Sequence, residues 1–253
     1  MKGLRKAVLG VAISACILIG FAGSALATGT ISGSVTDIDG NVYTTETIGN
    51  QVWTVENLRT TKYNDGTPIP LVTDSAAWKA LTTPGYCYYN NTTNADNIKK
   101  FGALYNWYVV DTKKLAPKGW HVPTDAEWTT LENYLIANGY NWDGTTTDNK
   151  IAKSMAAKTD WESPGYIPAG AIGNDLIKNN KSGFSALPGG VRDRNGDLFF
   201  NMGRGGYWWS ASEIDASRGA FIRSLLFSND NLFRPSRYGN PKSGGLSVRL
   251  LRD

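Results

Sequence analysis

The chain has 253 residues, a formal net charge of +4 and 41% hydrophobic residues, which is enough for one sizeable core. Three of its basic residues lie in an amino-terminal segment without acids, so the rest of the chain carries a formal charge of +1. A nearly neutral domain has little electrostatic attraction for nucleic acid or for an anionic membrane. We therefore expect no nucleic acid among its partners.

The amino terminus has the pattern of a secretory signal peptide. Basic residues precede an apolar run over residues 7–26, and Ala25-Leu26-Ala27 supplies the small residues that a signal peptidase recognises. We predict cleavage after Ala27, which leaves residues 28–253 as a single mature domain without a membrane span. An uncleaved anchor is a second interpretation, because the run is long enough to cross a bilayer. A lipoprotein site at Cys16 is a third, although the apolar run continues past that cysteine.

Turn signals divide the mature chain into short strands. Asp39-Gly40, Gly49-Asn50 and Asn195-Gly196 each precede a run of β-prone residues. Glycine and asparagine adopt the positive φ angles that tight hairpins need. We therefore expect a turn-rich fold with several hairpins.

One helix is clearly indicated. Thr124 and Glu127 have the spacing of a capping box, and Gly139 marks the end of the segment. The buried face of this helix is predicted to contain Trp128, Leu131 and Leu135. A weaker signal predicts a second helix over Ile151–Ala157. Few helices among many short strands predict an α+β fold.

Six ordered blocks resemble the Fibrobacter succinogenes major paralogous domain family. The blocks are residues 47–59 with 63–70, 102–108, 119–128, 182–190, 206–210 and 245–253. The third block also resembles the formylglycine-generating enzyme family, which has a C-type-lectin-like fold. The resemblance therefore implies a C-type-lectin-like, twisted, mixed or antiparallel sheet with few helices and long ordered loops.

Two positions depart from the family pattern. Members often carry a cysteine before the third block and another near the chain end, where this sequence has Ala116 and Leu250. The joint loss is expected if the two cysteines normally form a disulfide. The carboxyl end is then held by packing. Cys87 is interpreted as a buried, unreactive thiol in an aromatic run.

The sequence does not favour an enzyme. His121 is the only histidine and lies inside a family block, so we interpret it as a hydrogen-bonded structural residue. The related enzymes use a late cysteine or a histidine cluster, and both are missing here. Glycosidases need paired carboxylates. The candidate acids are Glu56, Asp125, Glu127, Glu132 and Glu213, of which Glu127 is better explained as a helix cap and Glu56 as part of the structural opening block.

No cofactor is expected. The acidic loop over residues 143–148 could hold a structural calcium ion, but a solvated loop is the favoured interpretation. Tryptophans in the blocks could bind sugars, but burial is favoured because glycine and apolar residues surround them. The tryptophans expected in the core are Trp53, Trp107, Trp120, Trp128, Trp208 and Trp209.

One segment, residues 221–238, matches the family poorly although strongly matching blocks flank it. Many members are asparagine-rich here. Retroelements that diversify C-type-lectin-like proteins rewrite adenines, which converts asparagine codons to those for Phe, Ser, Asp, Arg or Tyr. An ordinary divergent hairpin is the alternative. The residues predicted to contact a ligand, with side chains that mostly face solvent, are Phe221, Ser224, Phe227, Ser228, Asp230, Phe233, Ser236, Arg237 and Tyr238. Because side chains alternate along a strand, some of the set are expected to pack inward, first of all Phe221 and Phe227.

These observations predict a secreted, periplasmic or surface-displayed binding protein without catalytic activity. Its ligand would be a protein or polysaccharide on another cell or surface. A polysaccharide-associated protein, either a carbohydrate-binding module or a hydrolase, is the second hypothesis. A structural envelope protein without a specific ligand is the third. A reverse transcriptase gene beside an asparagine-coding near-copy of residues 207–253 would favour the first.

Overall fold

A computed structural model describes residues 33–217, 219–235 and 240–253. The predicted signal peptide and the predicted ligand contacts Ser236, Arg237 and Tyr238 lie outside these ranges. Within them, no helix has both the length and the apolar composition needed to cross a bilayer.

The strands of the described ranges are short except for one hairpin. They are β1 (Gly33–Thr36), β2 (Val42–Ile48), β3 (Gln51–Thr54), β4 (Tyr86–Cys87), β5 (Leu104–Tyr105), β6 (Trp120–His121), β7 (Gly189–Arg192), β8 (Phe199–Met202), β9 (Gly205–Asp215), β10 (Gly219–Leu226) and β11 (Leu251–Arg252). The helices are α1 (Ser75–Lys79), α2 (Ala95–Phe101), α3 (Trp107–Asp111), α4 (Asp125–Ala137) and α5 (Ala152–Met155), with 3-10 turns at Tyr89–Asn91 and Leu176–Lys178. The fold is α+β, as the sequence predicts.

The central sheet joins the two ends of the described chain. Its strand order is β1-β2-β3-β11-β6, and every neighbouring pair is antiparallel. Gly40 and Gly49 have φ angles of 81° and 62° in the turns that connect the first three strands. Those two turns are therefore the predicted hairpins. Strand β11 lies between β3 and β6, which brings the final family block into contact with the first and third blocks.

The described ranges also contain three two-stranded ladders, formed by β4–β5, β7–β8 and β9–β10. The predicted turn at Asn195-Gly196 connects β7 to β8. The β9–β10 hairpin is the longest ladder, and it also bridges to the carboxyl end through Trp208 and Ser247. The hairpin that carries the 221–238 segment is thus attached directly to the final family block.

Helix α4 begins as the sequence predicts. The Thr124 hydroxyl accepts a hydrogen bond from the Glu127 amide, and the Glu127 carboxylate accepts one from the Thr124 amide. Its predicted apolar face, Trp128, Leu131 and Leu135, is fully buried. Gly139 follows the end of the helix with a φ of 72°. The second helix, α5, is shorter than predicted and covers only Ala152–Met155.

Two large hydrophobic clusters lie on opposite sides of the hairpin. Trp209 and Ile222 belong to one cluster, and Trp208 and Leu225 belong to the other. Side chains alternate along a strand, so one hairpin can supply both cores. Five of the six tryptophans predicted in the core are buried, whereas Trp120 is half-buried against the first cluster.

Packing takes the place of the disulfide that the family resemblance implies. Ala116 and Leu250, which stand where many members carry cysteines, are both buried in the first cluster. Leu250 is fully buried. Its neighbours in sequence, Arg249 and Leu251, are also buried, so the carboxyl end is held by contacts along its length.

The buried Asn57 amide connects four parts of the chain. Its Oδ1 accepts hydrogen bonds from Trp208 Nε1 at 2.8 Å and Arg249 Nε at 2.9 Å. Its Nδ2 donates to the carbonyl of Phe101 at 2.9 Å and to the hydroxyl of Ser247 at 3.3 Å. All of its partners come from distant parts of the sequence, and every hydrogen-bonding site of the amide group is used.

Arg249 is fully buried and is held mainly by neutral groups. Its guanidinium donates to the carbonyls of Thr54 and Phe184 and lies 4.7 Å from the Phe184 ring centroid. Burial lowers its pKa to about 9, against a smaller opposite effect of Glu56. The carbonyl dipoles and the aromatic ring therefore carry much of the stabilisation of this charge.

Replacing Asn57 with alanine should destabilise the whole fold. Trp208 Nε1 and Arg249 Nε would lose their acceptor in a buried site, where an unsatisfied donor costs ~1–3 kcal/mol. We expect a loss of about 3 kcal/mol, or roughly 6–12 °C in Tm for a domain of this size, measured by thermal melting. Asn97→Ala, at an exposed position, is the control and should change stability by less than ~0.5 kcal/mol. Equal effects of the two substitutions would contradict the role of Asn57.

Candidate functional site

The backbone of residues 221–233, in the described part of the 221–238 segment, is held by its neighbours. Strand β10 turns at Leu226–Asn229, and Phe233 returns to exchange two hydrogen bonds with Ser224, of 2.9 and 3.0 Å. Main-chain hydrogen bonds also join Gly173 to Phe227 and Ala152 to Asp230. The described part of the segment is therefore attached on both sides of its turn.

Asn149 adds a side-chain clamp to this loop. Its amide donates to the carbonyl of Leu232 at 2.8 Å and accepts from the amide of Leu232 at 3.0 Å. Leu232 itself is buried in the second cluster. The loop thus has an apolar anchor, which leaves its polar and aromatic side chains free to lie nearer the surface.

Most of the predicted ligand contacts that lie in the described ranges retain surface exposure. Ser228 is exposed, and the half-buried members of the set are Phe221, Phe227, Asp230 and Phe233. Ser224 is buried, with 4% exposure, so its predicted solvent-facing position is wrong. The returning strand at Phe233 pairs with Ser224 and covers it.

Two arginines cover the half-buried phenylalanines. The Arg234 guanidinium lies 4.4 Å from the Phe221 ring centroid, and that of Arg204 lies 4.9 Å from the Phe227 centroid. Cation–π contacts of this kind fix both partners while leaving the charged group accessible to solvent. Arg234 and Arg204 therefore belong to the candidate surface, although neither is among the predicted contacts.

Asp125 connects the segment to helix α4. It accepts hydrogen bonds from buried Arg223 at 2.7 Å and from half-exposed Arg234 at 2.6 Å. Burial alone would raise the pKa of Asp125, but the two guanidinium groups outweigh it and lower the pKa. Arg223 Nε also lies 3.9 Å from Glu132, whose pKa is raised by burial. The carboxyl groups of Asp125 and Glu132 thus compensate the positive charge of Arg223 in the core.

Trp142 is a further surface residue that contacts the segment. Its indole Nε1 donates to Asp230 at 3.2 Å, and the side chain is 44% exposed. The two residues are 88 positions apart, and Trp142 lies between the matching blocks. The contact could not be found from sequence spacing, although an aromatic residue in a polar loop was a local signal.

The residues around this site fall within one sequence family. Residues 47–252 match the model of the Fibrobacter succinogenes major domain. The chain belongs to the Fibrobacter succinogenes major domain family. The predicted resemblance is confirmed over most of its range. No curated protein and no solved structure matches the chain.

His121, inside the third block of this Fibrobacter succinogenes major domain, uses both ring nitrogens. Nδ1 lies 2.6 Å from Asp253 Oδ1 and Nε2 lies 2.9 Å from Glu127 Oε1. The predicted hydrogen bonding is confirmed, but the side chain is 34% exposed and not fully packed. Burial would lower the pKa of His121, whereas the hydrogen bonds to both carboxylates raise it above its ordinary value. The arrangement ties the start of α4 to the strand at the chain end.

The other candidate catalytic groups in the domain also have structural partners. All five acids singled out above have partners. Glu56 contacts Thr44, Asp125 contacts two arginines, Glu127 contacts Thr124, Glu132 contacts Asn149 and Glu213 contacts Lys242. Cys87 is buried, and burial raises the pKa of its thiol to about 12. At neutral pH this thiol is protonated and is a poor nucleophile.

Asp143, in the loop considered for calcium, is engaged by its own neighbours. Its carboxylate accepts hydrogen bonds from Thr145 and forms an ion pair of 2.7 Å with Lys150. Across residues 33–217, 219–235 and 240–253, no group of three or more His, Cys, Asp or Glu side chains is arranged to hold a metal ion.

His121→Ala should remove a pH-dependent part of the stability. A raised histidine pKa stabilises the fold below the unfolded value of about 6.5 and loses this contribution as pH rises through the folded pKa. Because the ion pairs are partly exposed, we expect at most about 1 kcal/mol, or roughly 2–4 °C in Tm. The Tm difference between parent and variant should therefore shrink above pH 6.5 in thermal melts. A difference that is constant from pH 5.5 to pH 9 would be inconsistent with this role.

Asp125→Asn should destabilise the fold mainly because it removes the partner of the buried arginine, and less because it removes that of the exposed one. Arg223 has no exposed side-chain area and would lose its closest carboxylate, so we expect a loss of about 3 kcal/mol in denaturant unfolding. Arg234→Ala is the matched control, since this side chain is 41% exposed and its ion pair is worth ~1 kcal/mol or less. Similar losses in both variants would show that the cluster is not organised around Arg223.

Proposed function

We propose that this protein is an exported, non-catalytic binding protein that contacts its ligand through the 221–238 segment. The ligand is a protein or a polysaccharide on another cell or surface. Export through the predicted signal peptide brings the domain to that ligand. The residue types in the segment are those that rewriting the adenines of asparagine codons would produce, which makes it a candidate target of a diversity-generating retroelement.

The observation that carries the proposal is a backbone held by hydrogen bonds, with aromatic and small polar side chains that reach the surface. Hydrogen bonds from β10, Gly173, Ala152 and Asn149 hold the loop. Meanwhile Phe221, Phe227, Ser228 and Phe233 keep exposed area. A rigid scaffold with aromatic, arginine and small polar side chains limits the entropy lost on binding.

The chemistry of the remaining groups supports a binding role over catalysis. Both nitrogens of His121 are already hydrogen-bonded to carboxylates, so neither is free to accept a proton from a substrate. The Cys87 thiol is buried. In the described part of the chain, neither His121 nor Cys87 is therefore suited to begin acyl transfer as a base or a nucleophile.

The architecture supports the proposed relationship to C-type-lectin-like proteins. That relationship was inferred from the third block, and it implies a twisted antiparallel sheet with few helices and long ordered loops. The sheet order β1-β2-β3-β11-β6 and the long loops between α4 and β7 have these properties. In such a fold the exposed side chains of the segment before the last strand can vary, while its buried residues, such as Arg223 and Leu232, stay in the core.

The test is the combined variant Phe233→Ala, Arg237→Ala and Tyr238→Ala. We expect loss of binding on arrays of purified polysaccharides and cell-surface proteins. Stability should fall by less than about 2 kcal/mol, since complete burial of a phenylalanine is worth ~1.5–3 kcal/mol and Phe233 is half-buried.

A matched control replaces the same residue types at exposed positions elsewhere, in the combined variant Phe200→Ala, Arg194→Ala and Tyr166→Ala. It should retain both stability and binding. Unfolding of the first variant would assign the segment to the scaffold and remove the proposed site. Retained binding by a folded first variant would place the ligand elsewhere.

A further inference from the structure

A polar pocket lies beside the 221–238 segment, on the side of Trp142. Its volume is about 480 Å³, which is within the ~300–1,000 Å³ range of small-ligand sites. Its walls come from the loop after α4, from helix α5 and from residues 169–181. Its polar and aromatic lining includes Asn141, Trp142, Lys153, Ser154, Lys178 and Lys181.

The pocket has an excess of positive charge. Three lysines line it and no carboxylate does. Lys178 pairs with Asp175 at 3.0 Å, outside the lining. Lys153 and Lys181 form no ion pair with any residue in the described ranges; they donate to main-chain carbonyls of Ala171, Asn174 and Gly139.

Lys153 is the unusual one of the three lysines because it is buried. Its residue exposure is only 5%, and lysine is seldom buried without a charged partner. Burial lowers the pKa of Lys153, Asp175 raises it and Lys178 lowers it again. A bound anion would further compensate this buried charge, since the hydrogen bonds given for its ammonium group go to main-chain carbonyls and its interaction with Asp175 is not an ion pair.

Trp142 gives the pocket a flat apolar wall in a fixed position. Its ring lies against Gly170, where a Cβ atom would come within 2.2 Å of Nε1 and 2.4 Å of Cε2. Any larger residue at position 170 would displace the indole. The hydrogen bond from Nε1 to Asp230 is a second restraint on the orientation of the indole. A half-exposed indole held in this way presents a stacking surface without further loss of entropy.

We propose that this pocket binds an acidic sugar residue, with its carboxylate beside Lys153 and Lys181 and its ring against Trp142. Lysine ammonium groups have three donors each, so both lysines keep donors beyond their carbonyl contacts. A compact anion suits the site better than a nucleic-acid strand. The acids Asp143, Asp175 and Asp230 flank the pocket, whereas strand binding needs a continuous basic groove.

The experiment compares digalacturonic acid with its neutral dimethyl ester by isothermal titration calorimetry and tryptophan fluorescence on the purified protein. The acid should bind saturably, at least 10-fold tighter than the ester, and more weakly as salt rises. Trp142→Ala and Lys181→Gln should each reduce affinity at least 10-fold. Both substitutions are at surface positions, so the variants should fold, as thermal melting will verify.

The matched controls are Phe200→Ala, an aromatic residue with 42% exposure, and Lys79→Gln, an exposed lysine on α1. Both should bind like the parent protein. Absence of binding by the acid, or unchanged binding in Trp142→Ala and Lys181→Gln, would overturn the proposal. Equal binding by inorganic phosphate that does not depend on Trp142 would show a simple anion site and would also overturn it.

Two further outcomes separate this inference from the proposed function. Tighter binding by single-stranded oligodeoxythymidine than by the sugar acid would assign the pocket to nucleic acid and refute the acidic sugar. Loss of sugar binding in the combined Phe233, Arg237 and Tyr238 variant, with normal binding in the pocket variants, would move the sugar to the 221–238 segment. Failure of the pocket test leaves the array test of the segment unaffected.

Discussion

The buried amide of Asn57 is the interaction on which the rest of the fold depends. It accepts from Trp208 and Arg249 and donates to Phe101 and Ser247, so one side chain joins the first, fifth and last family blocks. Gly102 follows Phe101 with a φ of 79°, and a Cβ there would lie 2.7 Å from that of Asn57. The Asn57 side chain therefore requires the backbone at Gly102 to lie close to it, in addition to its hydrogen-bond partners.

This network explains how the carboxyl end stays in place without a disulfide. Arg249 brings a charge into the core and donates hydrogen bonds to the carbonyls of Thr54, at the end of β3, and of Phe184. Removing such a group would leave several acceptors unpaired, which is costly in a low-dielectric interior. Hydrogen bonds to a buried guanidinium and the packing of Leu250 together hold β11 in the sheet.

The rigid carboxyl end in turn supports a surface with two different chemistries. The 221–238 segment presents aromatic side chains covered by Arg204 and Arg234. The neighbouring pocket presents lysines and the indole of Trp142. Asp230 belongs to the segment and also orients Trp142, so the two features share one carboxylate. Substitution at position 230 is therefore expected to influence both surfaces, since the residue contacts each directly.

The sequence by itself determined the features that depend on near neighbours. The capping box of Thr124 and Glu127, the turns at Gly40 and Gly49, the α+β class and the family all follow from short patterns. Tertiary structure alone decided that Ser224 is covered by the returning chain, that Arg223 meets Asp125 from 98 positions away, and that Lys153 enters a pocket with Trp142. Burial and ion pairing at these positions depend on which distant segments pack together, and strand alternation does not specify that packing.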